Sequence, residues 1–161
     1  MPNSFTTGHI VTASEYDADV SRFGAWISGI ASANVTSTGT SFAAGADLLA
    51  SALTFTADGT SRYLVRVRFM SWSNSTTTAL NHLELNLDGA AAGFIANCQF
   101  PVASTQLGPI SVDSPTAVLS AGSHTVNARL WVSAASTATV FAGGGNASGA
   151  STPILVAVSV I

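Results

Sequence analysis

Lysine is absent from this 161-residue sequence, and arginine supplies all five of its permanently basic side chains. Eight acidic residues outnumber them and give the chain a net charge of −3. Proteins that hold nucleic acid usually present a basic stripe to the phosphates. The composition therefore predicts no nucleic-acid partner.

Charge of either sign is scarce. Charged residues make up 8% of the chain, whereas hydrophobic residues make up 47%. In an ordinary soluble domain about a quarter of the residues are charged. Because so little charge does not cover the surface of a free monomer, we expect part of the surface to face another protein.

Long hydrophobic runs are also missing. The longest, such as Ile154–Val158, fall far short of the roughly 20 residues that span a bilayer. The start of the chain, Met1–Thr7, has neither the positive region nor the continuous apolar region of a signal peptide. The sequence therefore predicts no membrane insertion and a protein that is made and used without secretion.

The single cysteine, Cys98, excludes an intrachain disulfide and falls short of any metal-binding framework. Its neighbours in the sequence include no base that would activate the thiol. We therefore predict that Cys98 is a small buried hydrophobic residue.

The common catalytic motifs do not occur. There is no Gly-x-Ser-x-Gly and no His-Glu-x-x-His, and the run Gly143–Gly145 lacks the lysine that a phosphate-binding loop needs. His82 and Glu84 share one face of a predicted strand, a geometry that metal ligands can use, but two ligands are too few. We predict instead that Arg66 and Arg68 pair across strands with Glu84 or Asp88. The expectation is a protein without enzymatic activity, cofactor or metal.

The first 24 residues differ from the rest of the chain. Thr12-Ala-Ser-Glu15 has the spacing of a capping box, and apolar residues follow at helical spacing up to Gly24, which is placed to end a helix. An extended arm, Pro2–Val11, precedes this short helix. The pattern predicts two parts, a docking segment at 1–24 and a β-domain at 25–161. The predicted docking side chains are Phe5, Ile10, Val11, Tyr16, Val20 and Phe23.

From Ala25 onward the hydrophobic periodicity changes to two, which is typical of half-buried strands. Tyr63, Val65, Val67 and Phe69 show it most clearly, because each is separated from the next by one residue of the opposite face. Turn signals and serine- and threonine-rich links separate the strands. This spacing favours a β-sandwich or jelly roll. The strand candidates are Ala25–Ala31, Leu49–Thr56, Arg62–Phe69, His82–Asp88, Gly93–Phe100, Thr116–Ser120, Thr125–Val132, Thr137–Phe141 and Ile154–Ile161.

The last strand, Ile154–Ile161, is apolar on both faces except at Ser159 and has no polar tail. Such a strand belongs inside a sheet with its second face covered, and a neighbouring subunit is one candidate for the cover. The residues predicted at this subunit interface are Ile154, Val156, Val158 and Val160.

Trp72 and Trp131 leave alternatives open. Their rings suit stacking on sugars, covering the sandwich or filling an interface between subunits. A structural placement is favoured.

Two resemblances add to these patterns. The opening Phe5-Thr-Thr-Gly8-His-Ile-Val-Thr12-Ala-Ser-Glu-Tyr-Asp resembles the openings of many tailed-bacteriophage structural proteins, with Asp17 or Asp19 where that family usually has asparagine. Three later segments and the closing strand resemble the C1q/TNF-like jelly rolls of phage fibres and capsid-decorating proteins. The segments are Phe55–Val65, Leu85–Gly89 and Leu119–Val126.

The resemblance implies a homotrimer, with the C-terminal strand near the threefold axis, and it implies no catalysis. The leading hypothesis is a capsid decoration protein, made in the host cytoplasm and held on the virion surface by contacts of segment 1–24 with the major capsid protein. A tail-tip or tail-fibre component that binds a host receptor or glycan is the alternative. A third hypothesis is a C1q-like binding module with no virion role.

Overall fold

The protein is an all-β jelly roll, seen in a computed structural model that describes residues 27–142 and 154–161. This part of the chain forms twelve strands and one short 3-10 helix, Phe42–Ala44. The predicted arm, helix and docking side chains of segment 1–24 lie outside the described residues. The strands are β1 (Ile27–Ala31), β2 (Val35–Ser37), β3 (Ala46–Asp47), β4 (Leu53–Asp58), β5 (Tyr63–Phe69), β6 (Ser71–Asn74), β7 (Leu80–Leu87), β8 (Ala90–Gln99), β9 (Ile110–Pro115), β10 (Ala121–Val132), β11 (Ala138–Phe141) and β12 (Ile154–Val160).

Two antiparallel sheets form the sandwich. The first has the order β1-β12-β5-β9. The second has the order β3-β10-β7-β8, and β4 pairs with the first half of β10, beyond the end of β3. If β3 and β4 are counted as one strand, the two sheets hold eight strands. Numbered along the chain, they lie in the order 1, 8, 3, 6 in the first sheet and 2, 7, 4, 5 in the second. This order is that of two Greek keys wound into a jelly roll.

A small third sheet, β2-β11-β6, continues the first. Strand β6 follows β5 after a single residue. Phe141 of β11 pairs with Ser71, and Leu155 of β12 pairs with Arg68. Strands β11 and β12 therefore pair with two strands, β6 and β5, that follow each other directly in the sequence.

The core forms where the predicted period of two turns one side of each strand inward. Val65 and Val67 of β5 and Leu83 and Leu85 of β7 are at most 1% exposed. Trp72 of β6 is also buried against the core, which confirms the structural placement for that tryptophan. Cys98 is half-buried and packs against the core, and burial raises the pKa of its thiol.

Most of the strand predictions are confirmed within a few residues, and one is wrong. The predicted strand Thr116–Ser120 is a loop, whereas β9 lies just before it at Ile110–Pro115. Strand β9 is the edge of the first sheet, so it tolerates Pro115, which has no N–H to donate. The turn signal Asp88-Gly89 is confirmed, because both residues have the positive φ angles of a two-residue hairpin between β7 and β8.

Candidate binding surfaces

The outer face of the second sheet carries an aromatic cluster, defined as His82, Phe94 and Trp131. The rings of His82 and Trp131 stack with centroids 3.9 Å apart and planes 24° apart. The ring of Phe94 lies 5.4 Å from His82 and 6.0 Å from Trp131. The side chain of Phe94 is the exposed member, since the residue is 54% exposed.

Strand pairing brings these rings together. Trp131 of β10 lies directly opposite His82 of β7, and Glu84 of β7 lies opposite Phe94 of β8. The register between β7 and β8 shifts on both sides of Glu84. Because a β-bulge re-aims side chains, Phe94 points outward while the next residue, Ile95, packs against the core.

The rings of Trp131 and His82 each form a hydrogen bond with a polar side chain. The indole N–H of Trp131 donates to a carboxylate oxygen, Oε2, of Glu84 at 3.0 Å. The ring nitrogen Nδ1 of His82 lies 2.6 Å from Oδ1 of Asn97. Glu84 and His82 are only 8% and 9% exposed, so both are held firmly in the surface of the sheet.

Next to the aromatic cluster, the same face of the second sheet carries an ion pair between Arg129 and Asp47. The guanidinium of Arg129 donates to both carboxylate oxygens of Asp47, at 2.7 and 2.8 Å, and lies over the ring of Phe42. Burial raises the pKa of Asp47, but hydrogen bonds from Arg129 and Asn86 outweigh it and lower that pKa below its ordinary value. Although Arg129 stands directly opposite Glu84, its charge is therefore directed to Asp47.

The outer side of β1 and β12 forms a second surface, the β1–β12 face, which consists of Ser28, Ile30, Leu155, Ala157 and Ser159. Ile30 lies opposite Leu155 and is 66% exposed. Neither strand contains a charged residue. Among the described residues β1 is an edge strand, and it lacks the charges and proline that usually protect such an edge.

Charged residues border this face on the next strand, because Arg66 and Arg68 of β5 lie directly opposite Ala157 and Leu155 of β12. The guanidinium of Arg66 donates to both carboxylate oxygens of Asp113 at 2.7 Å. The predicted pairing of Arg66 and Arg68 with Glu84 or Asp88 is wrong, because both arginines are on β5 in the first sheet, whereas Glu84 and Asp88 are on or directly after β7 in the second.

The residues predicted at the trimer interface lie on the inner side of β12. Ile154, Val156 and Val158 belong to the protein's own core, and Val160 packs against it. The trimer itself stays a prediction. On the other side of β12, Ala157 and Ser159 are only 3% and 7% exposed and Leu155 is half-buried, so a threefold contact on the β1–β12 face would rest mainly on β1 and Leu155.

At one end of the second sheet, His124 forms hydrogen bonds with two other segments of the chain. His124, at the start of β10, places Nδ1 at 2.7 Å from Oδ2 of Asp88 and Nε2 at 2.9 Å from the carbonyl oxygen of Ser120. Both partners only accept hydrogen bonds, so both ring nitrogens act as donors when the imidazole is protonated. The bond to Asp88, followed by the bond to Ser120, raises the pKa of His124.

This arrangement predicts a stability that falls with rising pH. A raised folded-state pKa means that the contribution of His124 is fully present below its ordinary pKa of about 6.5 and is lost as the pH rises through the raised value. We expect the urea concentration at the denaturation midpoint of the wild type to decrease as the pH is raised from about 6 to about 8.5. For a His124→Gln variant we expect a smaller decrease. Urea titrations at several pH values measure this, and identical profiles for the two proteins would contradict it.

The described residues contain no cluster of three or more histidine, cysteine, aspartate or glutamate side chains that could hold a metal ion. The same part of the chain has no helix that is long and apolar enough to cross a membrane.

Comparison with known proteins adds little to the geometry. No protein-family model matches the sequence, and no curated protein matches it. Among solved structures, the chain is similar to one in the structure of infectious bursal disease virus, Gx strain, at 19% sequence identity and a TM-score of 0.32. The similarity covers 85% of this chain and 36% of that one, so this chain spans about a third of the viral chain. A likeness at this TM-score carries no argument about function.

Proposed function

We propose that the protein is a non-enzymatic structural protein of a bacteriophage particle, a capsid decoration protein with a C1q/TNF-like jelly roll. It assembles as a trimer on the particle surface after synthesis in the host cytoplasm. Segment 1–24 docks it on the major capsid protein.

The observation that carries this proposal is the β1–β12 face. Its exposed part is the edge strand β1, where Ile30 is 66% exposed, whereas Ala157 and Ser159 of β12 are already 3% and 7% exposed in the single chain. An edge strand without charges or proline favours pairing with another chain. A second copy of the chain supplies such a partner, in keeping with the low charge of the whole sequence. The jelly-roll order of the strands provides a rigid body for a particle surface.

The docking role of segment 1–24 has its own test. A variant that lacks residues 2–24 is expected to keep the jelly-roll assembly and to lose incorporation into phage particles, because the apolar side chains of the segment bind the capsid. Replacing Phe5 and Phe23 by alanine is expected to weaken incorporation in the same direction, since a few aromatic anchors usually carry most of an interface. Mass spectrometry of purified particles measures incorporation.

The control is the thermal melting of the deletion variant. A large fall in melting temperature with unchanged incorporation per folded protein would show that the segment packs on its own domain and would reject the docking role. Copy number distinguishes the position on the particle. A decoration protein occurs in numbers comparable to those of the major capsid protein, whereas a few copies per particle would place the chain in the tail.

A further inference from the structure

We propose that the aromatic cluster and Glu84 form a binding site for a neutral saccharide. The apolar C–H face of the sugar packs on the ring of Phe94, and its hydroxyl groups donate hydrogen bonds to Glu84 and His82. This site lies on the second sheet and does not depend on the trimer or on the docking role of segment 1–24.

The first support is the exposed ring. Phe94 stays 54% exposed at the margin of a three-ring cluster instead of turning into the core. Its position is fixed, because bulges aim it outward and the rings of His82 and Trp131 pack beside it. The face of an aromatic ring is electron-rich, so it attracts the weakly positive C–H groups on one side of a pyranose ring. A rigid ring also loses little conformational entropy when it binds.

The second support is a pair of hydrogen-bond acceptors beside that ring, Oε1 of Glu84 and Nε2 of His82. In the neutral imidazole Nε2 accepts, because Nδ1 donates its proton to Oδ1 of Asn97. Within the described part of the chain, Oε1 of Glu84 and Nε2 of His82 have no hydrogen-bond partner, because the bonds of these side chains use Oε2 and Nδ1. The one buried side-chain atom without a partner among the described residues is Oδ1 of Asn86. Both Oε1 and Nε2 therefore reach solvent, although the two side chains are otherwise about nine-tenths buried.

The charge of the site selects the class of ligand. Glu84 brings a carboxylate, and the nearest arginine on the same face, Arg129, is bound to Asp47 through both oxygens. Phosphate, sulfate and acidic sugars would meet the negative charge of Glu84, and the strands of the second sheet supply no arginine other than Arg129. A ligand that offers several O–H donors and one apolar face fits the acceptors and the ring. A neutral sugar has both properties.

The test uses the full-length protein and the methyl glycosides of glucose, galactose and mannose at millimolar concentration as probes. The indole N–H resonance of Trp131 reports on the site directly, because this group bonds to Glu84. We expect at least one neutral glycoside to shift this resonance in a saturable way. The methyl glycoside of sialic acid, an acidic sugar, is expected to bind more weakly than that neutral sugar.

Two variants locate the binding. Phe94→Ala is expected to raise the dissociation constant about tenfold, since an aromatic anchor usually carries much of a binding energy. Glu84→Gln keeps an acceptor for the indole of Trp131 but removes the charge, and we expect severalfold weaker binding. Val118→Ala is the matched control, because Val118 is 51% exposed in the loop between β9 and β10. It is expected to bind like the wild type.

Three outcomes would overturn the proposal. They are an unchanged Trp131 resonance with all three neutral glycosides, equal affinities for the Phe94→Ala variant and the wild type, and tighter binding of the acidic sugar than of any neutral one. Because Phe94 is exposed, its variant should melt at the wild-type temperature, so a loss of binding will not reflect unfolding.

Discussion

Replacing Val156 by aspartate is expected to cause a severe loss of folded, soluble protein. Val156 is 0% exposed and stands in the middle of β12, which pairs with β1 on one side and with β5 on the other. An unpaired carboxylate at this position costs roughly 4 kcal/mol or more, against a total stability of about 5–15 kcal/mol. Soluble yield and circular dichroism measure the effect.

The matched control is Ile161→Asp. Ile161 directly follows β12 and is 57% exposed, so its carboxylate stays hydrated and the variant should melt close to the wild type. Removing residues 154–161 altogether is expected to have the same effect as Val156→Asp, since the first sheet would lose an inner strand. A Val156→Asp protein that melts within a few degrees of the wild type would contradict the position of β12 in the core.

Replacing Ile30 by arginine is expected to convert the trimer into a monomer. Ile30 is 66% exposed on the edge strand β1 and lies opposite Leu155 on the uncharged β1–β12 face. A guanidinium there would remain in water in the monomer but would lose its hydration in an interface between copies. The fold should persist, because the side chain of Ile30 lies outside the core. Multi-angle light scattering at micromolar concentration measures the mass.

Val118→Arg provides the control for charge and exposure, because it introduces the same side chain at a residue that is 51% exposed in another part of the molecule. It is expected to remain a trimer. A monomeric wild type would show that the trimer is wrong, and a trimeric Ile30→Arg variant would show that the copies meet through another surface.

The sequence predicts correctly which segments are strands, and which side of each is buried, where the hydrophobic alternation is clear within a few residues. The alternation around Val65 and Val67 and around Leu83 and Leu85 predicts which side is buried, because successive residues of a strand point to opposite sides. The strand predicted at Thr116–Ser120 is wrong, because a short apolar pattern alone does not separate a strand from an extended loop.

The candidate site was predictable only in part. The sequence shows that His82 and Glu84 share a face, and it leaves sugar stacking open for Trp131, but it does not show that these residues meet. Phe94 gave no signal at all. Its outward direction depends on bulges that appear only when β8 pairs with β7. The pairing predicted for Arg66 failed for a related reason, since its partner Asp113 is set by the neighbouring strand β9.

The sequence by itself determined an all-β chain with half-buried strands, little charge and a turn at Asp88-Gly89, because periodicity, composition and turn chemistry act over a few neighbouring residues. Only the tertiary structure decided which strands lie side by side and in which register. Trp131 and Glu84 are 47 residues apart in the sequence and share a hydrogen bond because β10 pairs with β7. That pairing depends on how the core packs as a whole, since a shift by one residue would turn every buried side chain of the strand outward.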